Sequence, residues 1–169
     1  MEETSRSTFE WFRPELTLLP LRAETAAEAI TRLAARLIET GCVQPSYLAA
    51  ALERERTYPT GLPDLEIGVA IPHAGSQHVI RPAIAVGILP AAVPFGEMGS
   101  PPGSATISVQ AVFLLAIDSG RAVTPVLRRL VTAFQAPGLL RQFAASPNGE
   151  ALIRLLRAHI PSGELGYNK

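Results

Sequence analysis

His73 is the residue whose surroundings in the sequence best suit chemistry. It follows a short apolar run, residues 67–71, and comes directly after Pro72. β-Branched runs of this length with flanking glycine and proline are typical of buried strands, and a proline, which cannot donate to a ladder, should end one. We therefore expect the imidazole at the tip of a strand, where a rigid sheet can hold a titratable group at the surface. A lone histidine after an apolar strand is often structural or simply solvent-exposed, so this position alone leaves its role open.

A cationic partner for this histidine is available at the end of a predicted helix. The helix opens at Pro45 and Ser46 and ends in the charged turn 53–56, which contains Arg54. A guanidinium fork matches phosphate oxygens bidentately, and a neutral imidazole nitrogen beside it could attack phosphorus. A charged last turn is also what a solvated surface or a favourable interaction with the helix dipole would produce, so Arg54 has a structural explanation as well.

Motifs for other common chemistries are absent from the sequence. There is no glycine-rich phosphate loop, no dinucleotide-binding glycine motif, no Gly-x-Ser-x-Gly elbow and no Cys-x-x-Cys pair. The spacing of His73 and His78 fits neither a helical i, i+4 pair nor a same-face strand pair, and a zinc site would need a further ligand. The remaining histidine, His159, is expected on the surface near the end of the last helix. We therefore expect neither a metal nor a cofactor.

Composition and charge indicate a globular protein with no nucleic-acid partner. The 169 residues suffice for one domain with an ordinary core, and 47% hydrophobic with 18% charged residues sets the chain apart from disordered proteins. Fifteen Lys and Arg balance fifteen Asp and Glu, whereas a nucleic-acid surface is strongly basic. The single cysteine, Cys42, excludes an internal disulfide and suits a reducing compartment. Neither a secretion signal nor a window of about 18 continuous apolar residues is found, so we expect a cytoplasmic protein that does not insert into a membrane.

Caps, breakers and apolar stripes predict five helices. Thr25 and Glu28 have the spacing of a capping box, and Gly41 is placed to end the helix that follows. Pro125 is expected in the first turn of a helix with a continuous apolar stripe. Ser146 as N-cap and Pro147 at the first helical position should open the last helix. The predicted helices cover about residues 26–40, 46–56, 123–134, 139–145 and 147–159.

The remaining apolar segments predict strands at about residues 16–19, 67–71, 83–88 and 107–117. The last is the longest candidate, and its wholly apolar second half is expected in the middle of a sheet. Strands and helices interleave without strict alternation, so the sequence predicts an α/β fold in which helices cover a mixed β-sheet of about five strands. We expect this single domain over residues 15–160.

The two ends are expected to lie outside the domain. Residues 1–14 should form an N-terminal arm whose aromatic side chains, Phe9, Trp11 and Phe12, dock on the domain, and residues 161–169 should form a C-terminal tail.

The segments around Arg54 and His73 carry a family resemblance. Residues 52–62 read Leu-Glu-Arg-Glu-Arg-Thr-Tyr-Pro-Thr-Gly-Leu and residues 67–73 read Ile-Gly-Val-Ala-Ile-Pro-His. Together they resemble the enzyme IIA (EIIA) domains of the bacterial sugar phosphotransferase system (PTS), in the fructose/mannitol class, and the Tyr-Pro-Thr-Gly-Leu-Pro segment is most similar to the galactitol-type branch. The resemblance covers about residues 16–158. Further similarity lies in residues 83–87, 93–95, 98–99, 112–116, 127–130 and 134–135.

The resemblance implies a phosphocarrier, a phosphotransferase component in which a histidine is transiently phosphorylated. The carrier protein HPr would donate its phosphoryl group to His73, which would pass it to a cysteine of enzyme IIB, and the membrane enzyme IIC would use it to phosphorylate a sugar on entry. Arg54 would offset charge on the transferring group. Thr60, in the turn facing the strand tip, could donate one hydrogen bond to that group, and a structural role in the turn is equally compatible with its position.

One departure from the family's pattern concerns a second histidine. Mannitol- and nitrogen-regulatory-type members generally carry it just before the helix that follows the long strand, and that place falls at or near Arg121 here. Arg121 could supply a second positive charge, without the proton switching of a histidine. It could equally mark a regulatory module that binds partners without turnover. The sugar stays open, because enzyme IIA contacts only other proteins.

Overall fold

The computed structural model describes residues 11–160, in which five strands and five α-helices follow one another. The predicted helices 26–40, 46–56 and 139–145 are confirmed to within one residue at either end. The elements are β1 (Thr17–Leu18), α1 (Ala26–Glu39), α2 (Tyr47–Thr57), β2 (Gly61–Leu62), β3 (Val69–Ala70), β4 (Ala83–Gly96), β5 (Thr106–Ala116), α3 (Gly120–Phe134), α4 (Leu139–Ala144) and α5 (Gly149–His159).

The five strands form one mixed sheet in the order β1-β4-β5-β3-β2. β4 and β5 pair antiparallel, β1 is parallel to β4, β3 is parallel to β5, and β2 is antiparallel to β3. The predicted α/β fold with a mixed five-stranded sheet is confirmed, and β5 lies in its middle as its apolar second half indicated. The strand before His73 is shorter than predicted, since only Val69–Ala70 are extended in the ladder. The His73 backbone nevertheless forms a parallel bridge with Leu115 of β5.

β4, not β5, is the longest strand. The sequence predicted it only to about residue 88, because Pro90 and Pro94 cannot donate to a ladder. The strand passes Pro90 by shifting register, because the pairing with β5 slips between Ile88 and Val93. An irregularity of this kind places a proline where no ladder hydrogen bond is needed. Pro94 lies beyond the shift, opposite Ser108 in the ladder, and both prolines are exposed.

Helix α1 begins where its capping residues predicted. Glu28 donates its backbone N–H to Oγ1 of Thr25 at 3.1 Å, as the capping box predicted. The reciprocal bond differs by one residue, because Glu28 Oε2 accepts from the N–H of Glu24 at 2.8 Å rather than from that of Thr25. Gly41 follows the helix with a φ of 72°, the left-handed conformation that glycine adopts without strain.

Two helix starts differ from the prediction. α3 begins at Gly120, so Pro125 lies in its second turn rather than its first. The helix tolerates the missing proline N–H there because its buried stripe of Val126, Leu130 and Phe134 continues through it. α5 is capped by Asn148, whose side chain accepts from the N–H of Ala151 at 2.9 Å, and not by Ser146.

Helices cover both faces of the sheet. One hydrophobic core lies between the sheet and α1–α2, and the other lies between the sheet and α3–α5. Trp11 and Phe12 are buried in the second core, which agrees with docking of the N-terminal aromatic residues. Phe9 and the predicted tail 161–169 lie outside the described residues, and the division into arm, domain and tail stays a prediction. None of the described helices has the length and apolar character needed to cross a membrane.

Candidate functional site

His73 lies where β3 ends beside the middle strand. Leu115 donates its backbone N–H to the carbonyl of Pro72 at 3.0 Å, so β5 holds the chain up to the residue before the histidine. The side chain is almost enclosed, with the residue 8% exposed. His73 and Thr60 are the only polar residues that are buried among those the structure describes. The predicted position at the strand tip is therefore confirmed, and the site is more enclosed than an ordinary surface position.

The hydrogen bonds of His73 assign different roles to its two ring nitrogens. Nδ1 lies 3.1 Å from the carbonyl oxygen of Ile71. Because a carbonyl oxygen only accepts, Nδ1 must carry the ring proton in the neutral imidazole, which leaves Nε2 with its lone pair. Arg54 donates its Nε–H to that Nε2 at 3.1 Å. The structure therefore brings together the two residues that the sequence paired, Arg54 and His73.

The surroundings of His73 favour the neutral ring. Its pKa is lowered from the usual value, mainly because burial removes water from the charged form, with a smaller contribution from the positive charge of Arg54. The Ile71 carbonyl opposes the shift because it stabilises the proton on Nδ1. A neutral imidazole at neutral pH is the nucleophilic form.

Helix α2 positions Arg54 beside the histidine. Its last turn carries Arg54, whose guanidinium carbon lies 5.4 Å from the ring centroid of Tyr58, in reach of a cation–π interaction. At the other end of the helix, Tyr47 donates its buried hydroxyl to the carbonyl of Leu115 at 2.5 Å. Leu115 also bridges the His73 backbone, so one residue of β5 anchors both the helix and the histidine.

Thr60 is buried beneath the site, with its side chain fully engaged. Its Oγ1 accepts the N–H of Ile71 at 3.2 Å and donates to Oε2 of Glu55 at 2.8 Å. Glu55 Oε1 accepts the backbone N–H of Thr60 at 2.9 Å, so both carboxylate oxygens bind one residue. Of the two roles that the sequence allowed for Thr60, these contacts agree with the structural one, because its hydroxyl proton already has an acceptor.

No role was predicted for Glu55 from the sequence, and a solvated surface was one of the alternatives for the charged turn 53–56. A signal was present: Leu48, Ala51, Leu52 and Glu55 repeat at i, i+3, i+4 and i+7, the pattern of an inward helix face. Burial raises the pKa of Glu55 to about 7, and hydrogen bonds from Thr60 and the charge of Arg54 lower it in part. A carboxyl in this environment is half-protonated near neutral pH.

Arg121 lies in the first turn of α3, a few residues beyond the end of β5. Since β3 and β5 are parallel, their carboxyl ends lie at the same edge of the sheet. His73 comes after β3 and this turn comes after β5, so both lie near that edge. The side chain is exposed, and within residues 11–160 no hydrogen bond or ion pair joins it to His73. The structure thus does not bring Arg121 into the contacts of the site.

The arrangement is suited to accepting a phosphoryl group. A neutral nitrogen whose lone pair accepts from Arg54 is the nucleophile. The same guanidinium can bind the equatorial oxygens whose charge must be offset. The third component, a rigid support, is supplied by β5 through Leu115.

Sequence comparison agrees with this chemistry. The family described as "Phosphoenolpyruvate-dependent sugar phosphotransferase system, EIIA 2" matches residues 10–159. The chain belongs to this EIIA family. The site residues Arg54 and His73 both lie within the matched region.

Individual relatives are PTS components and a regulator. The fructose-specific EIIABC component of Bacillus subtilis is 30% identical over 116 residues, 68% of this chain and 17% of that protein. The mannitol-specific EIICBA component of Pasteurella multocida is 37% identical over 82 residues, 47% of this chain and 13% of that protein. The transcriptional regulator ManR of Bacillus subtilis is 32% identical over 104 residues, 62% of this chain and 14% of that protein. The chain thus spans less than a fifth of the length of these relatives.

Solved structures share the fold. Enzyme IIA of the mannitol system, in its complex with phosphorylated enzyme IIB from Escherichia coli, superimposes with a TM-score of 0.71 at 23% identity and covers 86% of this chain and 96% of that one. The crystal structure of IIA mannitol from Escherichia coli gives a TM-score of 0.66 at 24% identity and covers 84% of this chain and 96% of that one.

Proposed function

We propose that this protein is a phosphocarrier that accepts a phosphoryl group on Nε2 of His73 and passes it to another protein. The observation that carries the proposal is the pair of contacts on the ring: Nδ1–H is bound to the Ile71 carbonyl, and Arg54 faces the free lone pair at Nε2. This arrangement places one nucleophilic atom directly beside one cation, so both can act on the same incoming group. Membership of the EIIA family supports the same reaction.

The transfer step is a displacement at phosphorus. The Nε2 lone pair forms the new N–P bond while the bond between phosphorus and the donor's nitrogen breaks, and the electron pair of that bond returns to the donor. The ring keeps its proton on Nδ1 throughout, so no base is required. Arg54 leaves the lone pair as the phosphorus approaches and binds the phosphoryl oxygens, which offsets charge in the transition state.

The partners follow from the family. HPr carrying phosphohistidine is the proposed donor, a cysteine of enzyme IIB is the proposed acceptor, and the membrane enzyme IIC acts downstream. Support comes from relatives named as fructose- and mannitol-specific PTS components and from the solved complex of enzyme IIA with phosphorylated enzyme IIB. A cytoplasmic location, which suits the free and buried Cys42 thiol, is part of this proposal.

We assign the acceptor more narrowly to a galactitol-type enzyme IIB. The support is the turn after α2, Tyr58 to Pro63, which adjoins the site and resembles that branch in sequence. The experiment presents the phosphorylated protein to purified galactitol-type and mannitol-type enzymes IIB and measures loss of phosphohistidine. Faster discharge to the galactitol type is expected. Equal or slower discharge would contradict the branch assignment and leave the phosphocarrier role intact.

A regulatory role is the second candidate. ManR shares 32% identity over 104 residues, and an arginine, Arg121, occupies the place where many family members have a second histidine. A regulator of this kind would accept the phosphoryl group and respond by binding other proteins. Rapid transfer onward from phospho-His73 to enzyme IIB supports the carrier. Stable phosphorylation that no enzyme IIB discharges supports the regulator.

A further inference from the structure

We infer that Glu55 and Thr60 form a positioning pair that fixes the ring of His73 from its Nδ1 side, and this inference rests on the proposed transfer at Nε2. Within the described part of the chain, no hydrogen bond joins either residue to the imidazole. Their effect is transmitted through Ile71, whose carbonyl oxygen holds the Nδ1 proton.

The first link joins Glu55 to Thr60. One carboxylate oxygen accepts the Thr60 backbone N–H at 2.9 Å and the other accepts the Thr60 hydroxyl at 2.8 Å. A bidentate contact of this kind fixes both the backbone and the side-chain rotamer of one residue. The turn after α2 is therefore tied to the last turn of the helix itself.

The second link joins Thr60 to Ile71. Ile71 lies just beyond β3, and its N–H is donated to the Thr60 hydroxyl at 3.2 Å. The next residue is Pro72, which has no N–H to offer. The Thr60 hydroxyl thus holds the backbone where the ladder of β3 ends, and the carbonyl of that same Ile71 faces His73 Nδ1 at 3.1 Å.

Through these two links, two adjacent residues of α2 act on opposite sides of the His73 ring. Arg54 reaches Nε2 directly, and Glu55 reaches Nδ1 through Thr60 and Ile71. When Nδ1 carries the proton, Nε2 keeps its lone pair, and Arg54 donates to that lone pair. Two contacts thus favour the same tautomer, since Arg54 can only donate to Nε2 and the Ile71 carbonyl can only accept from Nδ1, and the pair supports the second of them.

Placing the Glu55 carboxyl at an inward helix position is energetically unfavourable, which argues that Glu55 has a role in the site. Glu55 is half-buried, and withdrawing a carboxyl from water is unfavourable unless it is hydrogen-bonded. An inward helix position is ordinarily filled by an apolar side chain. Burial raises the pKa of Glu55 to about 7, which reports that cost. A turn clamp with no role in the site is the alternative that the experiment must separate.

The experiment reads the tautomer directly. Long-range ¹H–¹⁵N spectra of the unphosphorylated protein in mildly alkaline buffer report which nitrogen of His73 carries the proton. The test variants are Glu55→Gln, whose amide nitrogen cannot accept from the Thr60 hydroxyl, and Thr60→Val, which removes that hydroxyl. Thr60→Ser retains the hydroxyl, and Glu53→Gln changes a carboxylate on the same turn that binds only Arg56 and Thr57.

The expected result is a single tautomer, protonated at Nδ1, in the parent protein, Glu53→Gln and Thr60→Ser. In Glu55→Gln and Thr60→Val we expect a mixture of tautomers. Transfer from saturating phosphorylated HPr should then slow by about tenfold or more, as for other residues that orient a reacting histidine.

The inference is overturned if Glu55→Gln, compared at matched folded fraction, keeps the parent tautomer and transfers as fast as Glu53→Gln. Should Thr60→Val fail to fold, Glu55→Gln and Thr60→Ser decide the question. The tautomer is read without any phosphoryl donor. A protein that HPr does not phosphorylate would therefore refute the proposed function while the spectra still decide the role of the pair.

Discussion

At the scale of single residues, the site combines a base that stays neutral with a cation held against it. Burial alone would keep His73 neutral, but it would not choose between the two nitrogens. The Ile71 carbonyl, which accepts from Nδ1, and Arg54, which donates to Nε2, both favour the proton on Nδ1, and Arg54 also places a positive charge beside the nucleophilic atom. Offsetting charge at the moment it develops is the largest contribution that a protein makes to phosphoryl transfer.

Replacing Arg54 with Gln tests whether its positive charge speeds phosphoryl transfer to His73. We expect transfer from phosphorylated HPr to slow by about a hundredfold, as when a single preorganised donor is removed from a transition state. Stability should change by no more than about 0.5 kcal/mol, because the arginine is exposed. The measurements are single-turnover rates and denaturation midpoints.

Arg56→Gln is the control for that variant, since Arg56 is exposed on the same turn and pairs with Glu53 at the surface. It should transfer at the parent rate. Equal rates for the two variants at matched folded fraction would remove Arg54 from the site.

The sequence predicted these residues unequally. Arg54 and His73 could be paired from their chemistry and spacing, because the strand tip and the helix end are both local features. Glu55 could not be assigned a role, since its value depends on a turn that folds back over it and places Thr60 within 2.8 Å. The inward spacing that includes Glu55 was visible, but a charged residue at such a position is usually solvated.

At the scale of elements, the site depends on how closely β3 approaches β5. Gly68 permits that approach: its carbonyl accepts from Gln110 and Ala111 at 2.9 and 3.2 Å. A Cβ atom at this position would overlap the backbone carbonyl of Ser108. Glycine is required because two backbones meet there, and not because of an unusual φ.

Gly68→Ala should therefore destabilise the fold by about 1–3 kcal/mol or more, since backbone atoms cannot move aside as a flexible side chain can. Urea denaturation measures the effect. Gly120→Ala is the matched control, because no atom lies within 4 Å of an added Cβ in the first turn of α3. If both variants have the parent stability, an added Cβ at position 68 does not overlap the Ser108 backbone, and β3 and β5 do not approach as closely as described.

Prediction of elements succeeded where one local signal was sufficient and failed where packing decided. The Thr25 cap and the α1 stripe gave that helix its limits. The length of β4 could not be predicted, because Pro90 and Pro94 are normally strand breakers, and the register shift that accommodates Pro90 arises only in the pairing with β5. Ser146 and Asn148 were both chemically suitable caps for α5, and the position of the helix selected Asn148.

At the scale of the whole molecule, the half-buried carboxyl of Glu55 couples stability to pH. Its pKa is about 7 in the folded protein against an ordinary value near 4.5. Between those limits the folded state binds more protons at this group than the unfolded state does. Glu55 must therefore lower the free energy of unfolding as pH rises from about 4.5 to about 7, and the effect levels off above that.

Glu55→Gln removes this dependence. The free energy of unfolding of the variant, minus that of the parent, should increase by about 1–3 kcal/mol across this range. Urea denaturation at a series of pH values measures this difference. A difference that stays constant with pH would mean that the half-buried position of the Glu55 carboxyl does not raise its pKa.

The most direct test of the whole account is the site of phosphorylation. The parent protein, His73→Ala and His159→Gln are incubated with phosphorylated HPr, and incorporation is followed by ³¹P NMR and by the mass of the intact protein. His159 is an exposed histidine on α5 and controls for nonspecific labelling. We expect one phosphoryl group on Nε2 of His73 in the parent and in His159→Gln, and none in His73→Ala. Equal incorporation in His73→Ala, or no incorporation in the parent protein, would contradict the account.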